Sequence, residues 1–345
     1  AALLSNLREY VQPPPSPTEA VLTTDGYFTS SIMKLSPTPS VRRECYMQSN
    51  TMAPENIEVL HDLVKIRHEL SSMLGYGSYA EKMTRDKMAG SRENVAEFLR
   101  RQAAATEEGY GLEMEMLRRK KAELEGTTED VMPWDVPFYM NICKAETAAA
   151  EYDLSPYLTV DNCVRGLVHI TDTLLNVRMA ELPLEEGEGW CDDMRKFVFM
   201  EEDGSEIGTM YFDLYPRESK YNHAAHFTVR CGCKFYKDEE LRDQTPIVAV
   251  VANLTGGGKA QPQGGLLSHT EAETLFHEFG HALHSIMSRT KFQHMSGTRG
   301  PVDFVETPSH LMENFVRDHR SLSTFAHHHI TGEVVPAERV EVLRK

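Results

Sequence analysis

Two histidines four residues apart, His277 and His281, flank a glutamate, Glu278, in the run Leu275-Phe276-His277-Glu278-Phe279-Gly280-His281-Ala282-Leu283-His284. On an α-helix such a pair returns to one face with a rise of about 6 Å, so both imidazoles can reach a single tetrahedral metal ion. Glu278 then stands beside the metal rather than on it. That is the place of a general base that takes a proton from water as the water attacks a carbonyl. A catalytic zinc takes three protein ligands and keeps one position open. Glu306, 25 residues past His281, is the candidate third ligand. It stands with Asp303 in the D-x-x-E spacing of a helix start, and the separation suits a helix, a connection and the first turn of a second helix. Glu313, two turns further on the same face, and Asp303 are candidates to orient the histidine rings. One zinc ion per chain is the expectation.

The elements that must position these residues are legible around them. Ser268-His269-Thr270-Glu271 is a capping-box pattern and predicts a helix start. Leu275, Phe279, Leu283 and Ile286 follow at helical spacing and predict a buried helix. Upstream, a helix opens at Pro54, carries Ile57, Leu60, Leu63, Val64, Leu70 and Met73 on one face, and stops at Gly75. Another runs from Ser91 to Gly126 with Val95, Phe98, Leu99, Ala103, Tyr110, Met114, Leu117 and Leu124. Both stripes read as core packing. A loop follows Pro133, then helical segments over 144–152 and 160–179. Short β-type runs at 196–200, 208–214, 226–230 and 247–253 predict a small antiparallel sheet. Residues 247–253 are the candidate sheet strand near the site, where an edge strand can pair with an extended peptide. The fold class is mostly α with a small antiparallel sheet next to the zinc helix. Residues 1–53, with Pro13-Pro14-Pro15, read as a connector or the remnant of a preceding helical region. Residues 54–190 read as a helical lobe, and 191–345 as the zinc-binding catalytic region.

Composition narrows the function classes. A formal charge of −16 over 345 residues argues against a nucleic-acid partner and suits attraction of basic peptides. No apolar run reaches the roughly 18 to 20 residues that span a bilayer, so no membrane insertion is expected. The six cysteines are scattered and read as free thiols, Cys231 and Cys233 included. Gly256-Gly257-Gly258-Lys259 lacks the spacing of a phosphate loop. Consecutive residues His327, His328 and His329 cannot share a helix face. His223, His269, His284, His294 and His310 read as surface or supporting residues, with His310 drawing notice four places after Glu306. A monomer acting on a peptide or precursor protein is the expectation.

The chain resembles the thimet oligopeptidase family of zinc peptidases. The likeness lies in the Phe276 to His284 helix and in Gly297-Thr298-Arg299-Gly300-Pro301-Val302-Asp303-Phe304-Val305-Glu306-Thr307-Pro308-Ser309. The resemblance implies a helical zincin-type metallopeptidase whose channel between helical lobes admits short or unfolded peptides. Val131-Met132-Pro133-Trp134-Asp135, residues 288–299 and residues 325–333 look like its mitochondrial precursor-processing branch. That likeness implies a metalloendopeptidase of the mitochondrial matrix that removes a short N-terminal peptide from imported precursors after a first cleavage. No Arg-rich presequence opens the chain, so the location rests on resemblance alone. Residues 211–225 are similar to the general oligopeptidase branch. The alternatives are therefore an oligopeptidase degrading free peptides, or an inactive zinc-binding fragment. Family members are considerably longer, and in them a later segment supplies Tyr and His side chains to substrate and oxyanion. The expectation is a chain truncated at its C-terminus, with a complete metal site and an incomplete active site.

Overall fold

The computed structural model describes residues 26–146, 153–255 and 265–344. Residue contacts group into two compact units, 1–150 and 151–345. About half of the chain is helical and the strands are few.

The first unit is all helical among its described residues: α1 (Gly26–Leu35), α2 (Pro39–Asn50), α3 (Asn56–Met73), α4 (Tyr79–Thr84), α5 (Arg92–Glu125) and α6 (Val136–Glu146). The ends of α5 follow from its sequence. The Ser91 hydroxyl accepts from the Asn94 backbone N–H, and Gly126 takes the left-handed conformation at φ +65° that ends a helix without steric cost. α1 and α2 fall in the stretch read as a connector or the remnant of a preceding helical region. Residues 1–25 lie outside the described residues, as do 147–152 of the segment expected to be helical over 144–152. α6 begins at Val136, where a loop was expected.

The helices of the two predicted stripes form, but the stripes are not core. Ile57, Leu60, Phe98 and Leu99 are 59%, 55%, 53% and 59% exposed, and Leu117 is the buried member. Periodicity gives the side of a helix on which apolar residues gather and not what covers that side. The unit's small apolar core is Leu117, Val131 and Tyr139. Beside it lies a buried ionic group. Asp135 takes Arg42 at 2.7 Å and Lys121 at 3.0 Å, all three nearly inaccessible.

In the second unit α7 (Val160–Leu175) leads into β1 (Arg178–Leu182), β2 (Arg195–Met200), β3 (Glu206–Asp213), β4 (Ala225–Arg230), a hairpin of β5 (Cys233–Lys237) and β6 (Glu240–Gln244), and β7 (Ile247–Val251). The five-stranded sheet has the order β1-β2-β3-β7-β4. It is mixed rather than antiparallel, because β7 pairs parallel with β3 while its other neighbour β4 runs antiparallel. Alternation of side chains predicts strands but carries no direction, and the long excursion between β3 and β7 makes the parallel pairing possible. α7 stops earlier than expected, at Asn176 in the left-handed conformation (φ 53°), which releases the chain into β1. The division expected at residue 190 separates α7 from this sheet. The contacts place them together, since Val160, Cys163, Val164 and Leu167 share one core with Phe197, Phe199, Phe212, Val248 and Val250.

α8 (His269–Met287) completes that core with Leu275, Phe276, Phe279, Leu283 and Ile286. The Phe279 ring lies 6.3 Å from Phe199 and 6.5 Å from Phe212, so the helix is held against β2 and β3 by the aromatic residue between His277 and His281. Burying such a side chain stabilises by about 1.5 to 3 kcal/mol. A turn over 302–306 then leads into the short α9 (Thr307–Glu313), which packs on α8. The six cysteines are free thiols, and no described helix is long and apolar enough to cross a membrane.

Candidate metal centre

α8 begins where its cap dictates. The Ser268 hydroxyl accepts from the Glu271 N–H at 3.2 Å, and the Glu271 carboxylate accepts in return from the Ser268 N–H at 2.9 Å. With the start fixed, the helical period sets His277 and His281 on one face, their ring centroids 5.0 Å apart and nearly perpendicular. α9 approaches that face very closely. A Cβ built on Gly280 would lie 2.6 Å from the Pro308 carbonyl oxygen and 2.6 Å from the Ser309 Cα, so glycine at this position is what admits α9. Glu306 is the N-cap residue of α9, preceding its first turn rather than lying within it. Its Oε2 stands 3.0 Å from His281 Nε2 and 3.3 Å from His277 Nε2.

The three predicted ligands thus converge, with one donor atom of each within 4.8 Å of the others. For bonds of about 2.0 to 2.1 Å, two ligands of a tetrahedral ion lie roughly 3.3 Å apart. The two His–Glu separations have that size. His277 Nδ1 donates to Glu313 Oε1 at 2.7 Å, which leaves the lone pair of a neutral ring on Nε2, facing a carboxylate oxygen. Two acceptors at that distance repel unless a cation or a shared proton lies between them. Two imidazoles and a carboxylate are a donor set used by catalytic zinc.

Glu313 makes the hydrogen bond to His277 that the orienting role expected of it requires. His310 Nδ1 also reaches Glu313 Oε1, at 2.9 Å, and Arg317 lies 3.3 Å from Oε2. His277, His310 and Glu313 form a second group of ligand-type atoms, but their contacts are direct hydrogen bonds that hold the ring of His277. Asp303 sits exposed in the turn before α9, and Glu313 rather than Asp303 takes the His277 proton.

Charge follows burial here. Burial pushes the Glu278 carboxyl above its usual value, opposed by nearby His277 and by the nearby His226 backbone N–H. Burial also raises Glu306, but the Ser309 hydroxyl 2.9 Å away and His281, His277 and His310 outweigh it and hold the carboxyl low. His281 is lowered, chiefly by burial, so its ring favours the neutral form that binds metal. His226 is lowered further, to about 4, by burial and then by His281 and His284. A half-buried carboxylate beside two imidazoles can hold and return a proton.

Two residues with a part here carry no signal at motif spacing. His226 lies on β4, 51 residues before His277, and reaches the site only because β4 is an edge strand of the sheet against which α8 packs. Gly280 sits inside the motif, yet its closeness to α9 is a tertiary fact. The strand expected near the site, β7, is interior to the sheet, and β4 is the free edge beside Glu278.

The family model for peptidase family M3 matches residues 32–345. The mitochondrial intermediate peptidase of Arabidopsis thaliana is 35% identical over 94% of this chain and 45% of its own length. That of Homo sapiens is 34% identical over 89% and 43%, and that of Vanderwaltozyma polyspora 34% over 92% and 44%. The chain spans less than half the length of the curated relatives it matches. With a matched stretch that includes both α8 and α9, this chain belongs to peptidase family M3.

Proposed function

We propose that this chain carries the zinc centre of a metalloendopeptidase, with His277, His281 and Glu306 as ligands of one ion and Glu278 as the proton carrier. Peptidases of this family are metallopeptidases, and their substrates are peptides or precursor proteins. The single observation behind the assignment is the meeting of two imidazole Nε2 atoms at one oxygen of Glu306. Zinc, when bound, supplies Lewis acidity that polarises a scissile carbonyl and makes water nucleophilic at neutral pH. The chain's own residues do the rest. Glu278, near the His226 backbone N–H of β4, takes a proton from the attacking water and passes it to the leaving amine. A carboxyl whose pKa is raised by burial suits both halves of that transfer. Glu313 fixes His277 with Nε2 outward, and Ser309 steadies Glu306. The edge of β4, which among the described residues pairs with β7 alone, offers backbone groups to an extended peptide beside Glu278.

The relatives' shared name supports a finer reading. In the mitochondrial matrix the full protein removes a short N-terminal peptide from imported precursors that have already been cut once, acting as a monomer. Cleavage of such a precursor should exceed that of unrelated peptides of equal length, and equal rates would leave only a general oligopeptidase. Chelator-sensitive hydrolysis should vanish in Glu278→Gln while zinc stays bound. Turnover surviving in that variant would overturn the role of Glu278.

A further inference from the structure

Among the described residues, five buried side-chain polar atoms have no hydrogen-bond partner, and four of them gather on or against one face of α8: His281 Nδ1, His284 Nδ1, Ser285 Oγ and His226 Nε2. Such atoms are uncommon in folded proteins, and each left unsatisfied costs on the order of 1 to 3 kcal/mol. The cluster has a particular relation to the metal centre. His281 turns Nε2 toward Glu306 at 3.0 Å, so a metal bound there leaves the ring's proton on Nδ1, inside the protein. The equivalent proton of His277 goes to Glu313. For His281 no carboxylate plays that part by direct contact. The neighbouring ring is His226, with centroids 6.3 Å apart and planes inclined by 33°. No direct hydrogen bond joins the two rings, and a buried water is the partner that could bridge them.

We propose that His226 is a positioning residue for the ligand His281, its imidazole accepting the His281 Nδ1 proton through one buried water. Ser285, one helical turn beyond His281, carries another of the unpartnered atoms. The β4 residue whose backbone N–H lies near Glu278 thereby also holds a metal ligand through its side chain. The edge strand, the proton carrier and the metal are tied at one residue. The proposal rests on the zinc reading above.

The test compares His226→Gln, which keeps an acceptor, with His226→Leu, which fills similar space without one, in the full 345-residue chain. Zinc affinity is measured by competition with a chromophoric chelator. Loss of a partner to a ligating histidine weakens metal binding by roughly 10- to 100-fold. His226→Leu should fall in that range, and His226→Gln should stay within about threefold of the parent. If the parent itself binds no zinc, the zinc reading fails. If the parent binds and both variants match it, His226 has no such part. Should the leucine variant not fold, ¹⁵N-histidine NMR of the zinc-loaded parent settles the matter. The His281 Nδ1 proton should be protected from exchange and should move in His226→Gln. A freely exchanging proton, or one indifferent to that substitution, would overturn the proposal.

Discussion

Replacing Gly280 by alanine adds one methyl group at the point where α9 crosses α8, and the consequences can be worked from three distances. The new Cβ would sit 2.6 Å from Pro308 O, 2.6 Å from Ser309 Cα and 2.9 Å from Ser309 N, all of them backbone atoms. Carbon contacts settle at about 3.5 to 4.0 Å, so α9 must retreat by roughly 1 Å. No flexible side chain can absorb the overlap. Alanine is a better helix former than glycine by about 1 kcal/mol, while overpacking of this kind costs about 1 to 3 kcal/mol, so the fold should lose up to about 2 kcal/mol. The metal site is far less tolerant. Ligand distances must hold to about 0.2 Å, and the retreat carries both Glu306 and Glu313 away from the histidines. Zinc affinity should fall by at least about tenfold, the lower end of what losing an orienting partner costs. Gly111→Ala is the control, because a Cβ there meets nothing within 4 Å and should stabilise α5 by about 1 kcal/mol. Urea unfolding and chelator competition on both variants give the two numbers. If Gly280→Ala binds zinc as tightly as the parent and unfolds at higher urea, as Gly111→Ala should, the close approach of α9 does not set the ligand geometry.

Glu313→Gln should weaken zinc binding by about 10- to 100-fold in chelator competition, whereas His310→Ala, whose ring is exposed, should cost much less. Asp135→Ala leaves Arg42 and Lys121 buried without their shared carboxylate and should destabilise the first unit by about 3 to 5 kcal/mol in urea unfolding. In the second unit Asp213 is raised by burial but lowered more by Arg217 at 2.7 Å, by Lys220 and by Trp190, to about 2 from 3.8. A folded-state pKa below the unfolded one gives stability that is present above pH 3.8 and lost as pH falls toward 2. That loss should be about 2 kcal/mol and should be absent from acid titrations of Asp213→Asn.

What the sequence discloses about this fold is what local chemistry controls. The start of α8 follows from Ser268 and Glu271 alone, and its end near Met287 from the span of the apolar stripe. β2, β3, β4 and β7 fall within a few residues of their predicted runs because β-branched and aromatic side chains cluster there. β5 and β6 carry few apolar residues, Phe235, Tyr236 and Leu241 among charged ones, and almost all of them are exposed, so no strand pattern marks them. The parallel pairing of β3 with β7 depends on the path of the chain between them, which alternation does not encode. The exposed stripes of α3 and α5 make the same point for burial. At the proposed metal centre His277, His281, Glu306 and Glu278 could be proposed from residue type and spacing, and the structure brings the first three together. Gly280 as the contact with α9 and His226 as a neighbour of His281 could not, because each matters only once two distant segments meet.

The central claim is that His277, His281 and Glu306 hold one zinc ion beside Glu278. Zinc K-edge X-ray absorption on the zinc-loaded 345-residue chain tests it most directly, read together with stoichiometry. The account predicts one zinc per chain with two imidazole nitrogens and a carboxylate oxygen at about 2.0 to 2.2 Å, the imidazole scattering halved in His281→Ala and binding severely weakened in Glu306→Ala. Sulfur scattering from the cysteines, or a zinc site indifferent to both substitutions, would contradict it.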